Sequence, residues 1–263
     1  MTRPFGSETA MSATDRLIRE REFHDRQARS RAVTFAAWPD RLRFRDADYL
    51  DHETWVRPAF ERLGDVTGQS VLDLGCGHGM AAVVLARRGA IVTACDLSAG
   101  YVAEACARAR ANEAEVHCVQ ADAHRLPFAA ESFAAAWGHA ILHHLDVPTA
   151  ARELWRVLRP GGVAVLCEPW GGNPLARLAR RWLPYPGKGH TPDEEPLGPR
   201  SLRQLAAVFG PVETEGFQLL GAVRRLGLRS VSDRADAGLM RLLPGLRRFG
   251  RYVVIRLSKV PGH

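Results

Sequence analysis

No run of about 18–20 uncharged apolar residues occurs in the 263-residue sequence, so no segment is long enough to cross a bilayer as a helix. The opening stretch MTRPFGSETAMSATDRLIRE is polar and lacks the apolar core of a secretory signal. Cysteine is sparse: Cys76, Cys95, Cys106, Cys118 and Cys167 are odd in number, scattered, and without CxxC spacing. That pattern argues against a disulfide framework or a zinc ribbon and suits a reducing compartment, so a cytoplasmic location is expected. Internal repeats and low-complexity blocks are missing as well.

What is present is an ordinary globular composition, 46% hydrophobic, with a net charge of +7 carried mostly by arginine. The arginines are spread along the chain rather than gathered, so they read as solvated surface charge, and no nucleic-acid partner is expected. Met1–Met11 reads as a disordered tail, and Ala13–Arg31 as an exposed charged helix with a narrow apolar face at Leu17, Ile18 and Phe23. Phe35, Trp38, Phe44, Tyr49, Trp55 and Phe60 follow, dense enough to pack helices or to wall a pocket.

From Gly68 short strands alternate with helices. The spacing predicts strands at Ser70–Leu74, Ile91–Asp96, Val116–Gln120, Phe133–Trp137 and Val163–Cys167, with helices at Met80–Arg88, Ala99–Ala111 and Thr149–Leu158. Such alternation implies an α/β fold with a doubly wound, mostly parallel sheet. Pro169–Pro199 reads as a loop with one basic helix, Leu175–Leu183. Pro199–Phe209 is helical, and Val212–Leu220 and Arg251–Leu257 would bring the sheet to seven strands. Three segments are expected: 1–66 as tail and lid helices, 67–170 as the binding core, and 171–263 as an insertion with the strands that complete the sheet.

The stretch VLDLGCGHG, Val71–Gly79, runs a strand into three alternating glycines. Glycines there let the backbone approach a ligand closely and turn into a helix. GxGxG is neither the dinucleotide GxGxxG nor a P-loop. Asp73, inside the strand, would repel phosphates and attract an ammonium group. Asp96 ends the second strand about twenty residues on, where a carboxylate usually grips a ribose diol. Asp122 follows the third strand, placed to accept from an adenine amino group. Three carboxylates at successive strand ends match ammonium, ribose hydroxyls and adenine, which together describe S-adenosylmethionine (SAM).

The stretches VLDLGCGHG, ACDLS, QADAHRLPF, WGHAILHHL and LWRVLRPGG, spread over Gly68–Glu168, resemble class I SAM-dependent methyltransferases of the small-molecule branch that includes ubiquinone and menaquinone methyltransferases. The resemblance implies a Rossmann-like methyltransferase fold with N-terminal lid helices. It implies that Gly75, Gly77 and Gly79, with backbone groups near Cys76 and His78, pass the methionine and ribose portions. Asp73 would help hold the amino-acid end and Asp96 the ribose, with Leu97 beside the adenine. Asp122 and Ala123 would meet the adenine edge, and Gly138 and His139 would lie beside the sulfonium. S-adenosylhomocysteine would be the product. Ala134 departs from the pattern, which often has an acid after the phenylalanine of this strand.

His139, His143 and His144 invite a metal reading, but a tetrahedral site needs further ligands, and no metal is expected. Three histidines are candidate general bases: His139, His24 and His190. The sequence has no NPPY after the fourth strand and no acidic metal cluster, which disfavours DNA adenine, protein glutamine or catechol-type methylation. The expected reaction is methyl transfer to a small-molecule acceptor, an oxygen of an aromatic or apolar natural product. C-methylation of a quinone or prenyl-like acceptor is the alternative enzyme reading. An RNA or protein modifier, or a non-catalytic SAM-binding protein, is the alternative of another class. Leu219–Phe249 is basic and apolar but broken by Pro244 and glycines, so it reads as a pocket cover rather than a membrane contact. Oligomeric state has no signature in the sequence.

Overall fold

The computed structural model describes residues 13–173, 196–220 and 229–260. The tail Met1–Met11, the helix expected at Leu175–Leu183, the candidate base His190 and residues 221–228 of the expected pocket cover lie outside these residues.

Helix α1, Ala13–Ala37, is followed by a short 3-10 turn and by two small helices, α2 (Asp46–Leu50) and α3 (Val56–Glu61). Strand and helix then alternate through β1 (Ser70–Leu74), α4 (Met80–Arg87), β2 (Ile91–Asp96), α5 (Ala99–Ala111), β3 (Val116–Gln120) and β4 (Phe133–His139). The chain continues through α6 (Val147–Val157), β5 (Leu158–Pro169), α7 (Pro199–Phe209), β6 (Glu213–Phe217), α8 (Arg229–Leu242) and β7 (Tyr252–Ser258). The seven strands lie in the order β3-β2-β1-β4-β5-β7-β6. The first five are parallel, and β7 runs antiparallel to both neighbours.

Alternation along the strands divides the core between the two faces. Val71, Val92, Ala135, Trp137, Val165 and Val254 meet α3 and α4, where Trp55, Phe60 and Leu85 are fully buried. Leu72, Leu74, Ala136, Leu166, Ile255 and Leu257 face the other way, onto Leu154 of α6 and Leu205 and Phe209 of α7. β4 extends to His139; it pairs with β1 over Ala135–Gly138 and with β5 out to His139, with a shift of register at Ala134, between Phe133 and Ala135.

Two elements run longer than expected. β5 begins at Leu158, which pairs with Phe133; the RPGG segment then bulges before pairing resumes at Val163, and it is anchored to Lys259: Gly161 N–H donates to Lys259 O and Lys259 N–H to Gly162 O. α1 continues past Arg31 to Ala37, where the Arg108 guanidinium of α5 lies over the Phe35 ring, 5.5 Å from its centroid, and its earlier turns are held along α5 as well. Ala28 sits where a side chain on Gly100 would lie, 2.7 Å from its Cβ. Arg31 pairs with Glu104 at 3.0 Å, the Tyr101 hydroxyl donates to Gln27 at 2.6 Å, and the Ser98 hydroxyl donates to Asp25 at 2.5 Å. Among the described residues no helix is long and apolar enough to cross a membrane.

Candidate functional site

A cavity of about 710 Å³ opens at the C-terminal ends of β1, β2 and β4 and is covered by α1. In open α/β sheets ligands bind there, where strand order reverses. The reversal here falls between β1 and β4. Asp73, Gly75, Cys76, Gly77 and His78 line the cavity from β1 and the glycine turn. Asp96 and Leu97 enter from β2, and Asp122 and Ala123 from the segment after β3. His139 contributes from β4 and His24 from α1. Gly79 and Gly138 do not line it. Gly79 caps α4 with φ +76° and abuts Ala105, and Gly138 packs against Leu166 and Ile141.

The carboxylates are distributed in strand order. Asp122 lies beyond β3, Asp96 ends β2 and Asp73 sits in β1, with β4 next. Three interstrand steps, about 14 Å in all, separate the first position from β4. Asp96 is fixed by backbone donors: Gly77 N–H reaches Oδ2 at 3.0 Å and Ser98 N–H reaches Oδ1 at 2.9 Å. Asp73 is buried, and its Oδ2 has no hydrogen-bond partner. Burial, and secondarily the Asp96 charge, push its carboxyl up to about 7.

His139 is half-buried and meets the Trp55 ring edge-on at a centroid distance of 4.7 Å. Burial draws its imidazole down to about 4, against the smaller opposing influence of Glu168. It is therefore neutral at pH 7 and a weak base. His24 lies against Tyr101 and His144, with ring centroids 5.3 and 5.8 Å away.

The pairing that sequence reasoning missed is between His143 and Glu168. Ala140 adopts φ +55° just after β4, a conformation uncommon outside glycine. The chain then turns so that the amides of Ile141 and Leu142 donate to Glu168 Oε1 at 2.9 and 2.8 Å. His143 Nδ1 lies 2.8 Å from Oε2 of the same fully buried carboxylate. With Nδ1–H donated to Glu168, the lone pair of neutral His143 is on Nε2. His143 lines the cavity. His144 turns the other way, its Nδ1 2.9 Å from Glu20 on α1. The two histidines thus engage separate carboxylates.

Residues 72–166 match the methyltransferase domain family. A demethylmenaquinone methyltransferase of Clavibacter sepedonicus is 31% identical over 78% of this chain and 84% of its own length. The chain belongs to the class I SAM-dependent methyltransferases. A malonyl-[acyl-carrier protein] O-methyltransferase of Enterobacter lignolyticus is 37% identical over 46% of this chain, and the match spans about half of that relative's length, 46%. Among solved structures, the geranyl diphosphate C-methyltransferase of Streptomyces coelicolor A3(2) shares the fold, with a TM-score of 0.52 at 20% identity over 78% of each chain.

Members of this family take their methyl group from SAM, and the residues present fit that cofactor. The orphaned Asp73 oxygen lacks a partner that an ammonium would supply. Gly77 leaves open space where a side chain would stand, with no atom within 4 Å of that point. No lysine or arginine is among the cavity-lining described residues, which suits a cationic ligand rather than a diphosphate.

Proposed function

We propose that this methyltransferase methylates a hydroxyl oxygen of an aromatic or apolar small molecule, with His143 as general base and Glu168 as its orienting partner. The observation that carries the reading is the Glu168 carboxylate, buried and held by three N–H donors, the third being His143 Nδ1. The family relative whose name specifies O-methylation is consistent with it.

SAM, when bound, supplies an electrophilic sulfonium methyl. This chain's residues hold and align the reactants. Asp122 and Ala123 take the adenine edge, with Leu97 beside the ring. Asp96 takes the ribose hydroxyls. Asp73 and the backbone around Cys76 and His78 take the amino-acid end, and His139 stands at the methyl end. Acceptor and methyl must be in line, and water kept out. Leu17 and Phe23 of α1 and Tyr252 of β7 give the cavity an apolar wall for that purpose. The acceptor hydroxyl gives its proton to His143 Nε2, and Glu168 stabilises the imidazolium that results. His139, neutral and pressed on Trp55, shapes the wall.

A quinone acceptor is a second reading, supported by the similarity to the demethylmenaquinone methyltransferase over most of both chains. The test is incubation with methyl-labelled SAM and host extract, followed by mass spectrometry and carbon NMR of the labelled product. An oxygen-bound methyl supports the first reading, and a carbon-bound methyl replaces it with the second. S-adenosylhomocysteine that produces no heat on titration into the protein would overturn both.

A further inference from the structure

We propose that His124 is a positioning residue that fixes Asp122 for adenine recognition and ties that end of the cavity to the segment carrying His143. The inference rests on the reading of Asp122 as the adenine-amino acceptor.

His124 stands between two aspartates. Its Nδ1 lies 2.7 Å from Asp122 Oδ1, and its backbone N–H donates to the same oxygen at 2.9 Å. On the other side of the ring, the backbone N–H of Asp146 donates to His124 Nε2 at 3.0 Å. An amide N–H can only donate, so Nε2 is the acceptor and Nδ1 carries the proton. The ring therefore donates to Asp122 and accepts from Asp146 at once. Both donors end on Asp122 Oδ1, and among the described residues none reaches Oδ2. One carboxylate oxygen is anchored, and the other is left for a ligand donor.

The far partner is also well placed. The Asp146 side chain caps α6, accepting from Thr149 N–H at 3.1 Å, and Asp146 follows the 3-10 turn Leu142–His144. One imidazole thus joins the turn after β3 to the connection between β4 and α6. The His124 side chain is 18% exposed and that of Asp122 35%, so the pair sits at the rim, where unanchored side chains would move freely.

Asparagine and glutamine separate the two bonds. In His124→Asn the amide nitrogen takes the place of Nδ1 and can still donate to Asp122. In His124→Gln the amide oxygen takes the place of Nε2 and can accept from Asp146 only. The readout is the ratio of calorimetric affinities for S-adenosylhomocysteine and S-inosylhomocysteine, which carries a carbonyl where adenine has its amino group. The wild type should prefer the adenosyl compound by about tenfold, the worth of one charge-assisted hydrogen bond. Asp122→Asn, His124→Ala and His124→Gln should each bring the ratio to within twofold of unity, and His124→Asn should keep most of it. Nitrogen NMR of the ligand-free protein should show His124 protonated at Nδ1. A wild-type ratio in Asp122→Asn overturns the adenine reading and this inference with it. A lost ratio in Asp122→Asn but an intact one in His124→Ala overturns this inference alone. So does His124→Gln matching wild type, or His124 protonated at Nε2.

Discussion

His143 and Glu168, twenty-five residues apart in sequence, meet at 2.8 Å with the carboxylate fully buried. The contact joins the exits of two neighbouring parallel strands, β4 and β5, and sets one imidazole nitrogen as donor and the other as acceptor.

If that pair moves the acceptor proton, His143→Asn and Glu168→Gln should lower kcat by about 10²–10³-fold, within the usual range for general-base loss. Affinity for S-adenosylhomocysteine should stay within twofold. His139→Asn should have a much smaller effect on kcat, because a group held at about 4 is poorly matched to proton abstraction near neutral pH. Steady-state kinetics paired with calorimetry distinguishes these outcomes.

Cofactor affinity should depend on pH through Asp73. Its carboxyl is raised to about 7 in the ligand-free protein. The cationic ligand favours the ionised form, so binding near pH 7 releases protons. Affinity should rise as pH rises toward 7 and flatten above it. Below 7 it should fall by up to about tenfold per pH unit. Asp73→Asn should weaken binding and flatten this dependence. Calorimetry in buffers of different ionisation enthalpy counts the protons released.

Gly77 and Gly79 should respond differently to alanine. Both have positive φ, +49° and +76°. A Cβ on Gly79 would stand 2.6 Å from the Ala105 backbone, whereas one on Gly77 would meet nothing within 4 Å. Gly79→Ala should cost about 2–3 kcal/mol or more of stability, combining backbone strain with a collision. Gly77→Ala should cost about 1 kcal/mol yet weaken cofactor binding, since its side faces the cavity. Denaturant melts and ligand titration give the two comparisons.

Helix α1 should be released by loss of its contact with the turn after β4. His144 reaches Glu20 at 2.9 Å across the cavity mouth. His144→Ala should increase hydrogen exchange across Leu17–Gln27 and speed dissociation of S-adenosylhomocysteine several-fold, with the sheet's protection unchanged. Unaltered exchange in α1 would show that its bonds to α5 suffice to hold it.

Much of this was legible in local sequence. Alternating apolar residues and glycine stops located the strands, because each obeys a period set by its own backbone. The acids Asp73, Asp96 and Asp122 could be assigned to one cavity because strand ends in a parallel sheet share one side. The base was harder to find. His139 stood out by position, but its weakness comes from burial beneath Trp55, which is far off in sequence. Glu168 fell just past the strand expected at Val163–Cys167, and only the β4–β5 pairing brings it under His143. α1 was cut short at Arg31 for a similar reason, since its last turns depend on α5 rather than on their own composition.

The sheet order also bears on how the chain acquires its fold during synthesis. Among the described residues β6 has β7 as its only neighbour in the sheet, and β7 is made after it. Until Tyr252–Ser258 leaves the ribosome, β6 has no strand partner among the described residues, and the edge of β5 that β7 covers is open as well. The nascent protein therefore carries two sticky β surfaces through the translation of some thirty-five intervening residues, and insertion of a single hairpin-like strand closes both together.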